Sequence, residues 1–340
     1  MEIEQGARII VQRWLQAKPE EVLHFITDET KLREAQAFSH AAESFGAIPK
    51  VTILASDSVQ AGDSIEEMRR IMSYAGAIVG ATNYSFITTP AVTYALRRGA
   101  RFLSLPLSTN DGGSLLEQDF LKMDPKKAAA LARPMLRALR RTDSVHVTTG
   151  LGTDITLSIG GRRPGLFNGV AARPGACASA SFEVYVPPVE TETSGRVVLD
   201  GSMGYLGLVR EPLELRFEHG RLVEIADTPD GRRLREYIES FGDGEMYCAA
   251  EFGIGLNQIS RCRGASYIED ESTYGTFHIG FGRNLALGGG HDAAGHFDIV
   301  VHDPTIAAGE EVIMREGRAR QGAFGLFSPL PQRDKNQQND

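Results

Sequence analysis

The first third of the chain alternates short apolar runs with amphipathic stretches. Helix-type spacing of apolar residues predicts helices over residues 6–17, 31–45, 65–74 and 90–98. Runs of strand length predict strands over residues 22–28, 51–55, 77–82 and 101–106. Strands that alternate with helices through short connections indicate a parallel sheet covered by helices. Residues 1–113 are therefore predicted to form an α/β domain.

Polar residues follow three of these predicted strands. Asp28 ends the first strand, Ser56 follows the second, and residues 82–84 follow the third. Ligands of open parallel sheets bind beyond the carboxyl ends of the strands, but no glycine-rich phosphate-binding motif follows any of them. These residues are therefore interpreted as turn and capping residues, with Asp28 as the cap of a helix that begins at residue 29.

The second half of the chain has a different apolar period. A basic, helix-compatible segment at residues 114–143 is predicted to be a helical connector broken by Pro125 and Pro134. Beyond it, runs with a period near two predict strands over residues 145–149, 154–159, 182–186, 196–200, 213–218 and 222–225. Residues 229–241 interrupt them as an amphipathic helix. Residues 144–328 are thus predicted to form a β-rich α+β domain, and the polar residues 329–340 a disordered tail.

Composition and charge exclude several classes of function. The net charge is −8, and lysine and arginine are scattered along the chain, so a nucleic-acid partner is not expected. No apolar run approaches the roughly 20 residues that span a bilayer, and the amino terminus lacks the features of a signal peptide. We expect a cytoplasmic protein without membrane contact. Its three cysteines are widely spaced and are expected to be reduced, although Cys248 lies close to Glu251 and is a candidate to line the site.

The candidate chemistry lies in the segment from residue 248 to residue 304. Glu251, His278, His296 and Asp298 occur there within glycine-dense, apolar sequence. Imidazoles and carboxylates are the usual ligands of borderline divalent metals, and side chains two apart on a strand share a face. A single histidine in an apolar strand is more often a core residue, but a buried carboxylate is costly without a compensating cation. The joint pattern therefore favours a metal site.

Two further features of this segment permit two interpretations each. The acidic run at residues 269–271 fits either hydrogen-bonding partners of the histidines or a solvated turn. The glycine-rich loop at residues 288–292 fits either a substrate-contacting loop or a plain turn, and the turn is favoured.

The chain resembles the aminopeptidase T family of metallo-aminopeptidases, which includes the related 2,5-dihydroxypyridine 5,6-dioxygenase branch. The resemblance spans roughly residues 5–320. The motifs that carry it are L-G-T-D-I-T-L-S-I-G-G-R at 151–162, F-E-V-Y-V-P at 182–187, G-R-V-V-L-D-G-S at 195–202, A-E-F-G-I-G-L-N at 250–257, Y-G-T-F-H-I-G-F-G at 274–282 and H-F-D at 296–298. Together these motifs are specific, whereas each alone is weak.

The resemblance implies a ligand set. The residues that match the metal ligands of the peptidase branch are Glu183, Glu251, His278, His296 and Asp298. The tyrosine of that branch would fall near Leu285, so its phenol does not carry over. The dioxygenase branch holds one iron(II) through two histidines and an aspartate, and its first histidine falls where this chain has Glu251. The family also implies a homodimer.

Two functional hypotheses follow. The first is a metal-dependent hydrolase of an amide or short peptide, in which zinc, cobalt or manganese activates water and Glu183 or Glu251 is a bridging ligand or the general base. The alternative is a non-haem iron(II) dioxygenase that opens a small hydroxylated heteroaromatic ring, using His278, His296 and Asp298.

Overall fold

The computed structural model describes residues 1–55, 72, 76–321 and 326–327. The predicted helix over residues 65–74, apart from Met72, lies outside these residues, as do Ser56 and the predicted tail at 329–340. The described α-helices are α1 Ile3–Ile9, α2 Leu32–Ser44, α3 Pro90–Arg97, α4 Pro125–Leu139, α5 Pro229–Glu239 and α6 Tyr267–Ser272. A π-helical turn, Ile10–Trp14, extends α1.

The first sheet is parallel. Its described strands are β1 Val22–Asp28, β2 Ile48–Leu54, β3 Ala77–Ala81, β4 Arg101–Ser104 and β8 Cys177–Ser179. They lie in the order β2-β1-β3-β4-β8, so strand β8 comes from the second half of the chain and pairs with β4. Strands β1, β3 and β4 are almost wholly buried, as expected of a parallel sheet covered on both faces.

Two antiparallel sheets form the rest of the described chain. Their strands are β5 Ser144–Thr148, β6 Asp154–Ser158, β7 Gly165–Asn168, β9 Phe182–Val186, β10 Thr193–Leu199, β11 Leu213–Glu218, β12 Arg221–Ile225, β13 Ala249–Gly255, β14 Thr276–Gly282, β15 His296–His302, β16 Thr305–Ala308, β17 Glu311–Arg315, β18 Arg318–Gln321 and β19 Leu326–Phe327. The larger sheet has the order β12-β11-β10-β6-β5-β16-β17-β18-β19. The smaller sheet, named the site sheet below, has the order β15-β14-β13-β9-β7. The predicted fold class, a parallel α/β part with a separate β-rich part, is confirmed.

Two local predictions were wrong. Pro134 does not break the connector helix, because α4 runs through it from Pro125, which occupies the tolerated first position. The buried apolar face of α4, which includes Met135 and Leu139, compensates for the backbone hydrogen bond that Pro134 cannot make. Asp28 does not cap a helix, since α2 begins only at Leu32.

The carboxylate of Asp28 instead connects the ends of two parallel strands. It accepts a hydrogen bond from the backbone N–H of Thr30 at 3.0 Å and from that of Asn83 at 2.6 Å. Asn83 follows β3, so Asp28 fixes the start of the loop that leads from β3 to α3. None of the described helices has the length and apolar character needed to cross a membrane.

Candidate metal centre

The five residues predicted as ligands lie side by side on the site sheet. Glu183 is on β9, Glu251 on β13, His278 on β14, and His296 and Asp298 on β15. Each of them is paired across to a neighbouring strand with a glycine: Glu183 with Gly255, His278 with Gly253, Glu251 and Asp298 with Gly280, and His296 with Gly282. Directly paired residues share a face of an antiparallel sheet, so functional side chains and glycines alternate over one face.

The glycines provide the space that these side chains occupy. A Cβ atom at Gly253 would lie 1.8 Å from Nε2 of His278. A Cβ atom at Gly280 would lie 2.7 Å from Oδ1 of Asp298 and 2.8 Å from Cβ of Glu251. No real side chain tolerates such contacts, so the repeated glycines of E-F-G-I-G and H-I-G-F-G are required by the ligands opposite them.

The five side chains form two groups whose ligand atoms lie within 4.8 Å of one another. The groups are Glu183, Glu251 and His278, and Glu251, His296 and Asp298. In the first, Nε2 of His278 lies 2.6 Å from Oε2 of Glu183. In the second, Nε2 of His296 lies 3.1 Å from Oε2 of Glu251 and 3.5 Å from Oδ1 of Asp298. Glu251 belongs to both groups and so connects them.

Burial makes this cluster electrostatically unusual. Glu183, Glu251, Asp298 and the neighbouring Glu271 are each at most 5% exposed. Burial, followed by the charge of Glu183, raises the pKa of Glu251 to about 7. Burial, followed by the charge of Asp298, raises the pKa of Glu271 well above its ordinary value. Several buried carboxylates in one place are costly unless cations or protons compensate them.

The histidines respond in the opposite direction. Burial alone would lower the pKa of His278, but the charge and hydrogen bond of Glu183 outweigh it and raise that pKa to about 9. Burial also opposes the charged form of His296, whereas Asp298 and Glu251 raise its pKa well above the ordinary value. Nδ1 of His296 lies 2.9 Å from the backbone oxygen of Arg283. That contact orients the ring so that Nε2 faces the carboxylates.

The cluster opens into a cavity of about 160 Å³ between the site sheet and the loop that follows β3. Its walls include the aromatic residues Tyr84, Phe86, Tyr205, Tyr237 and Tyr267. Tyr205 packs against Tyr84 and Tyr267, with ring centroids 5.3 and 4.3 Å away. The cavity is therefore lined both by the ligand cluster and by a group of aromatic rings.

Family membership follows from the sequence as a whole. The sequence model of the NicX family, described as 2,5-dihydroxypyridine 5,6-dioxygenase, matches residues 3–321. The chain belongs to the NicX family. Of the two branches that the chain resembles, the family assignment therefore favours the dioxygenase branch over the aminopeptidase branch.

Individual relatives agree with this assignment. The 2,5-dihydroxypyridine 5,6-dioxygenase of Pseudomonas putida KT2440 is 25% identical over 217 residues, which are 58% of this chain and 61% of that protein, so the alignment spans less than two thirds of the relative. The solved structure of the 2,5-dihydroxypyridine dioxygenase from the same organism matches with a TM-score of 0.79 and 19% identity, covering 93% of this chain and 96% of that one. Wild-type AmpT from Thermus thermophilus matches with a TM-score of 0.63 and 16% identity, covering 93% and 98%. These two structural likenesses show a shared fold.

Three other positions of this NicX-family chain that were considered from the sequence lie outside the cavity wall. Cys248 does not line the cavity, and its thiol contacts the backbone oxygen of Glu190 at 3.8 Å. Leu285 is 47% exposed and also lies outside the cavity wall. The residues of the loop 288–292 are not in the wall either, in agreement with its interpretation as a turn.

The acidic run at residues 269–271 is not a solvated turn. It forms buried helix α6, where Glu269 pairs with Arg263 at 2.8 Å and Glu271 faces the cavity. Arg283, Tyr205, Tyr237 and Tyr267 are cavity residues that no sequence pattern singled out, and Tyr84, interpreted as a turn residue, also lines the cavity. The glycine spacing that follows Glu251 and His278 was the available signal that these strands lie side by side in one sheet at the site.

Proposed function

We propose that this chain is a metal-dependent dioxygenase that opens a small hydroxylated heteroaromatic ring, chemically similar to the dihydroxypyridine named for its family. The observation that carries the proposal is the cavity of about 160 Å³ with aromatic walls beside the ligand cluster. A buried apolar cavity of about 150 Å³ accommodates benzene. The volume therefore suits one six-membered ring better than a peptide.

The donor set fits a divalent metal ion. Two histidines and a carboxylate, namely His278, His296 and Asp298, make up the composition typical of non-haem iron(II) sites. Among the described residues, buried Oδ1 of Asp298 and Nδ1 of His278 have no hydrogen-bond partner of good geometry. Glu183 would supply a further oxygen ligand. Iron(II) held there would supply the electrons that activate molecular oxygen for ring opening.

The protein's own side chains would hold the ring and manage protons. The rings of Tyr84, Tyr205 and Tyr267 form a wall against which a flat substrate stacks. A hydroxylated ring binds an ion best after losing a hydroxyl proton. Glu251, whose Oε2 lies 3.1 Å from Nε2 of His296, would be the carboxylate beside the ring that takes up this proton.

A second candidate function is a metal-dependent hydrolase of an amide or short peptide. The observation that favours it is the position of Glu251 in both ligand groups, which would allow it to bridge two ions. In that case zinc, cobalt or manganese would be bound, and Glu183 would be the general base or a further ligand.

Elemental analysis of anaerobically purified protein, combined with oxygen uptake, tests the proposal. We expect about one iron per chain and consumption of about one oxygen molecule per ring opened when 2,5-dihydroxypyridine is supplied. About two zinc, cobalt or manganese ions per chain, with amide hydrolysis that needs no oxygen, would favour the hydrolase instead. Failure to bind any metal after reconstitution would contradict both functions.

A further inference from the structure

The cavity wall contains one cationic side chain whose role the ligand cluster does not explain. Arg283 is the only lysine or arginine among the described residues that line the cavity. It follows the last residue of β14, Gly282, which pairs with His296. Arg283 therefore lies on the His296 side of the cluster, whereas His278 lies five residues earlier on the same strand, about 17 Å along extended backbone.

The backbone of Arg283 is fixed from both sides. Its N–H donates to the backbone oxygen of Gly295 at 2.8 Å, and its carbonyl oxygen lies 2.9 Å from Nδ1 of His296. The preceding Gly282 has a φ of +89°, and a Cβ atom there would lie 2.4 Å from the oxygen of Gly295. Only glycine fits at that position. The starting point of the Arg283 side chain is thus set relative to a predicted metal ligand.

The guanidinium of Arg283 is hydrogen-bonded through Nε, and its terminal amino groups can bind a ligand. Nε donates to Oδ1 of Asp292 at 2.7 Å, and the side chain of Asp292 is 70% exposed. The Arg283 side chain itself is 24% exposed. Among the described residues, Asp292 is the hydrogen-bond partner of this guanidinium, and it contacts only Nε. The two terminal amino groups therefore remain available to a ligand.

We infer that Arg283 binds an anionic substituent of the substrate, so that the substrate is a hydroxylated heteroaromatic carboxylate. The inference rests on the proposed function, because it assumes that a ring occupies this cavity. An arginine offers two parallel N–H donors that match the two oxygens of a carboxylate. With hydroxyl groups directed at the His278 end of the ligand cluster, a carboxylate on the opposite side of the ring would face Arg283 at the His296 end.

Binding of a matched pair of non-substrate rings tests this assignment. The probes are 6-hydroxynicotinate and 6-hydroxynicotinamide, which have nearly the same shape and differ in charge. Their hydroxyl and carboxyl groups lie on opposite sides of the ring, so the two groups cannot chelate the same ion. Titration calorimetry without oxygen, on the protein with the metal it carries when purified, should show about 10- to 100-fold tighter binding of the carboxylate.

Three variants separate recognition of the ligand's negative charge from a general effect of substitution on the folded structure. Arg283→Gln should reduce the carboxylate-to-amide preference to about one, and Arg283→Lys should retain part of it because the charge remains. Arg196→Gln is the matched control, since it removes an exposed arginine of the larger antiparallel sheet that does not line the cavity, and it should leave the preference intact. Circular dichroism establishes that each variant is folded, and Arg283→Met replaces Arg283→Gln if the latter does not fold.

The outcomes distinguish this inference from the proposed function. A wild-type preference near one, an unchanged preference in Arg283→Gln, or an equal loss in Arg196→Gln would overturn the assignment of Arg283. Oxygen uptake with 2,5-dihydroxypyridine and no carboxylate preference would contradict only this inference. A clear carboxylate preference without oxygen uptake on any hydroxylated ring would contradict only the proposed function.

Discussion

Two buried histidines, one in each part of the molecule, have opposite electrostatic environments. His24 lies on β1 of the parallel sheet and is 0% exposed, and His278 lies on β14 of the site sheet and is 1% exposed. Burial, assisted by the charge of Lys50, lowers the pKa of His24 to about 4. Burial acts on His278 too, but Glu183 outweighs it and raises that pKa to about 9. Equal burial therefore produces opposite charge preferences.

The neighbours across the strands account for the difference. His24 is paired with Lys50 on β2 and Ile78 on β3, and its Nε2 lies 2.8 Å from the hydroxyl of Thr52. His278 is paired with Gly253, which leaves room for Glu183 to lie 2.6 Å from its ring. A histidine in an apolar strand thus remains a core residue unless adjacent strands supply both carboxylates and the space for them.

The largest effect is expected from removing a carboxylate of the cluster. Asp298→Ala should weaken metal binding by more than about 100-fold and abolish turnover, because it removes one predicted ligand from the group that also contains Glu251 and His296. Metal content per chain after dialysis, measured by elemental analysis, checks this expectation.

An exposed aspartate in the other antiparallel sheet provides the matched control. Asp154→Ala breaks an exposed pair with His146 and should change neither metal content nor activity, at a cost of about 0.2–1 kcal/mol in stability. An Asp298→Ala protein that retains full metal and activity would show that the cluster around His278 is not a cation site, and the contrast with His24 would lose its functional meaning.

The glycine opposite His278 comes next. In Gly253→Ala, the new methyl group would lie 1.8 Å from Nε2 of His278, so the ring must leave its place beside Glu183. We expect the free energy of unfolding to fall by about 1–3 kcal/mol and metal affinity to fall at least about tenfold. Urea unfolding and metal titration measure the two effects.

Gly150→Ala serves as the control for that substitution. A Cβ atom at Gly150 would meet no heavy atom within 4 Å, so stability and metal affinity should stay close to those of the wild type. If Gly253→Ala behaves like Gly150→Ala, the alternation of glycines and ligands has no role in building the site.

A smaller, pH-dependent effect is expected from the histidine of the parallel sheet. Below its ordinary pKa of 6.5, His24 takes up a proton in the unfolded chain but not in the folded one until the pH approaches 4. Folding stability attributable to His24 is therefore lost as the pH falls from about 6.5 to 4, and about 2 kcal/mol of it is lost by pH 5. His24→Gln should remove this loss, as measured by urea unfolding at pH 7.5 and pH 5.

His40→Gln, on the exposed face of α2, is the control for His24→Gln and should retain the wild-type pH dependence. An equal pH dependence in wild type and His24→Gln would mean that folding does not shift the pKa of His24, so that burial alone would not set it apart from His278.

Most of the fold was predictable from the apolar period. The predicted strands at residues 182–186 and 213–218 match Phe182–Val186 and Leu213–Glu218, because strict alternation in the second, a short aromatic and β-branched run in the first, and bounding turns in both leave little freedom. Strands Gly165–Asn168 and Cys177–Ser179 were missed. They are short, rich in small or polar residues, and formed through contacts that are distant in sequence, such as the pairing of Cys177–Ser179 with Arg101–Ser104.

The site was predictable only in part, for a related reason. The five ligand candidates have unusual residue types for apolar strands, so their chemistry was visible in the sequence. Glu271 was ambiguous because three consecutive acidic residues suit solvent equally well, and the burial of this run depends on how the preceding loop folds back onto it. Arg263 pairs with Glu269 at 2.8 Å, and the backbone N–H groups of Arg263 and Gly264 donate to Asp270 at 2.8 and 3.0 Å.

The smallest effect is expected at Leu285, the position aligned with the tyrosine of the aminopeptidase branch. Leu285 lies on a 3-10 turn, Leu285–Leu287, and is 47% exposed, whereas Leu287 on the same turn lines the cavity. A phenol at residue 285 would therefore lie in solvent, so Leu285→Tyr should change stability by no more than about 0.5 kcal/mol and create no aminopeptidase activity.

Leu287→Tyr is the informative partner, because added volume inside a cavity of about 160 Å³ should weaken ring binding. Calorimetric titration of both variants with 6-hydroxynicotinate, together with an amide hydrolysis assay, separates the two positions. Aminopeptidase activity gained in Leu285→Tyr alone would support the hydrolase. It would also mean that a side chain at residue 285 reaches the site, contrary to the exposed position of Leu285.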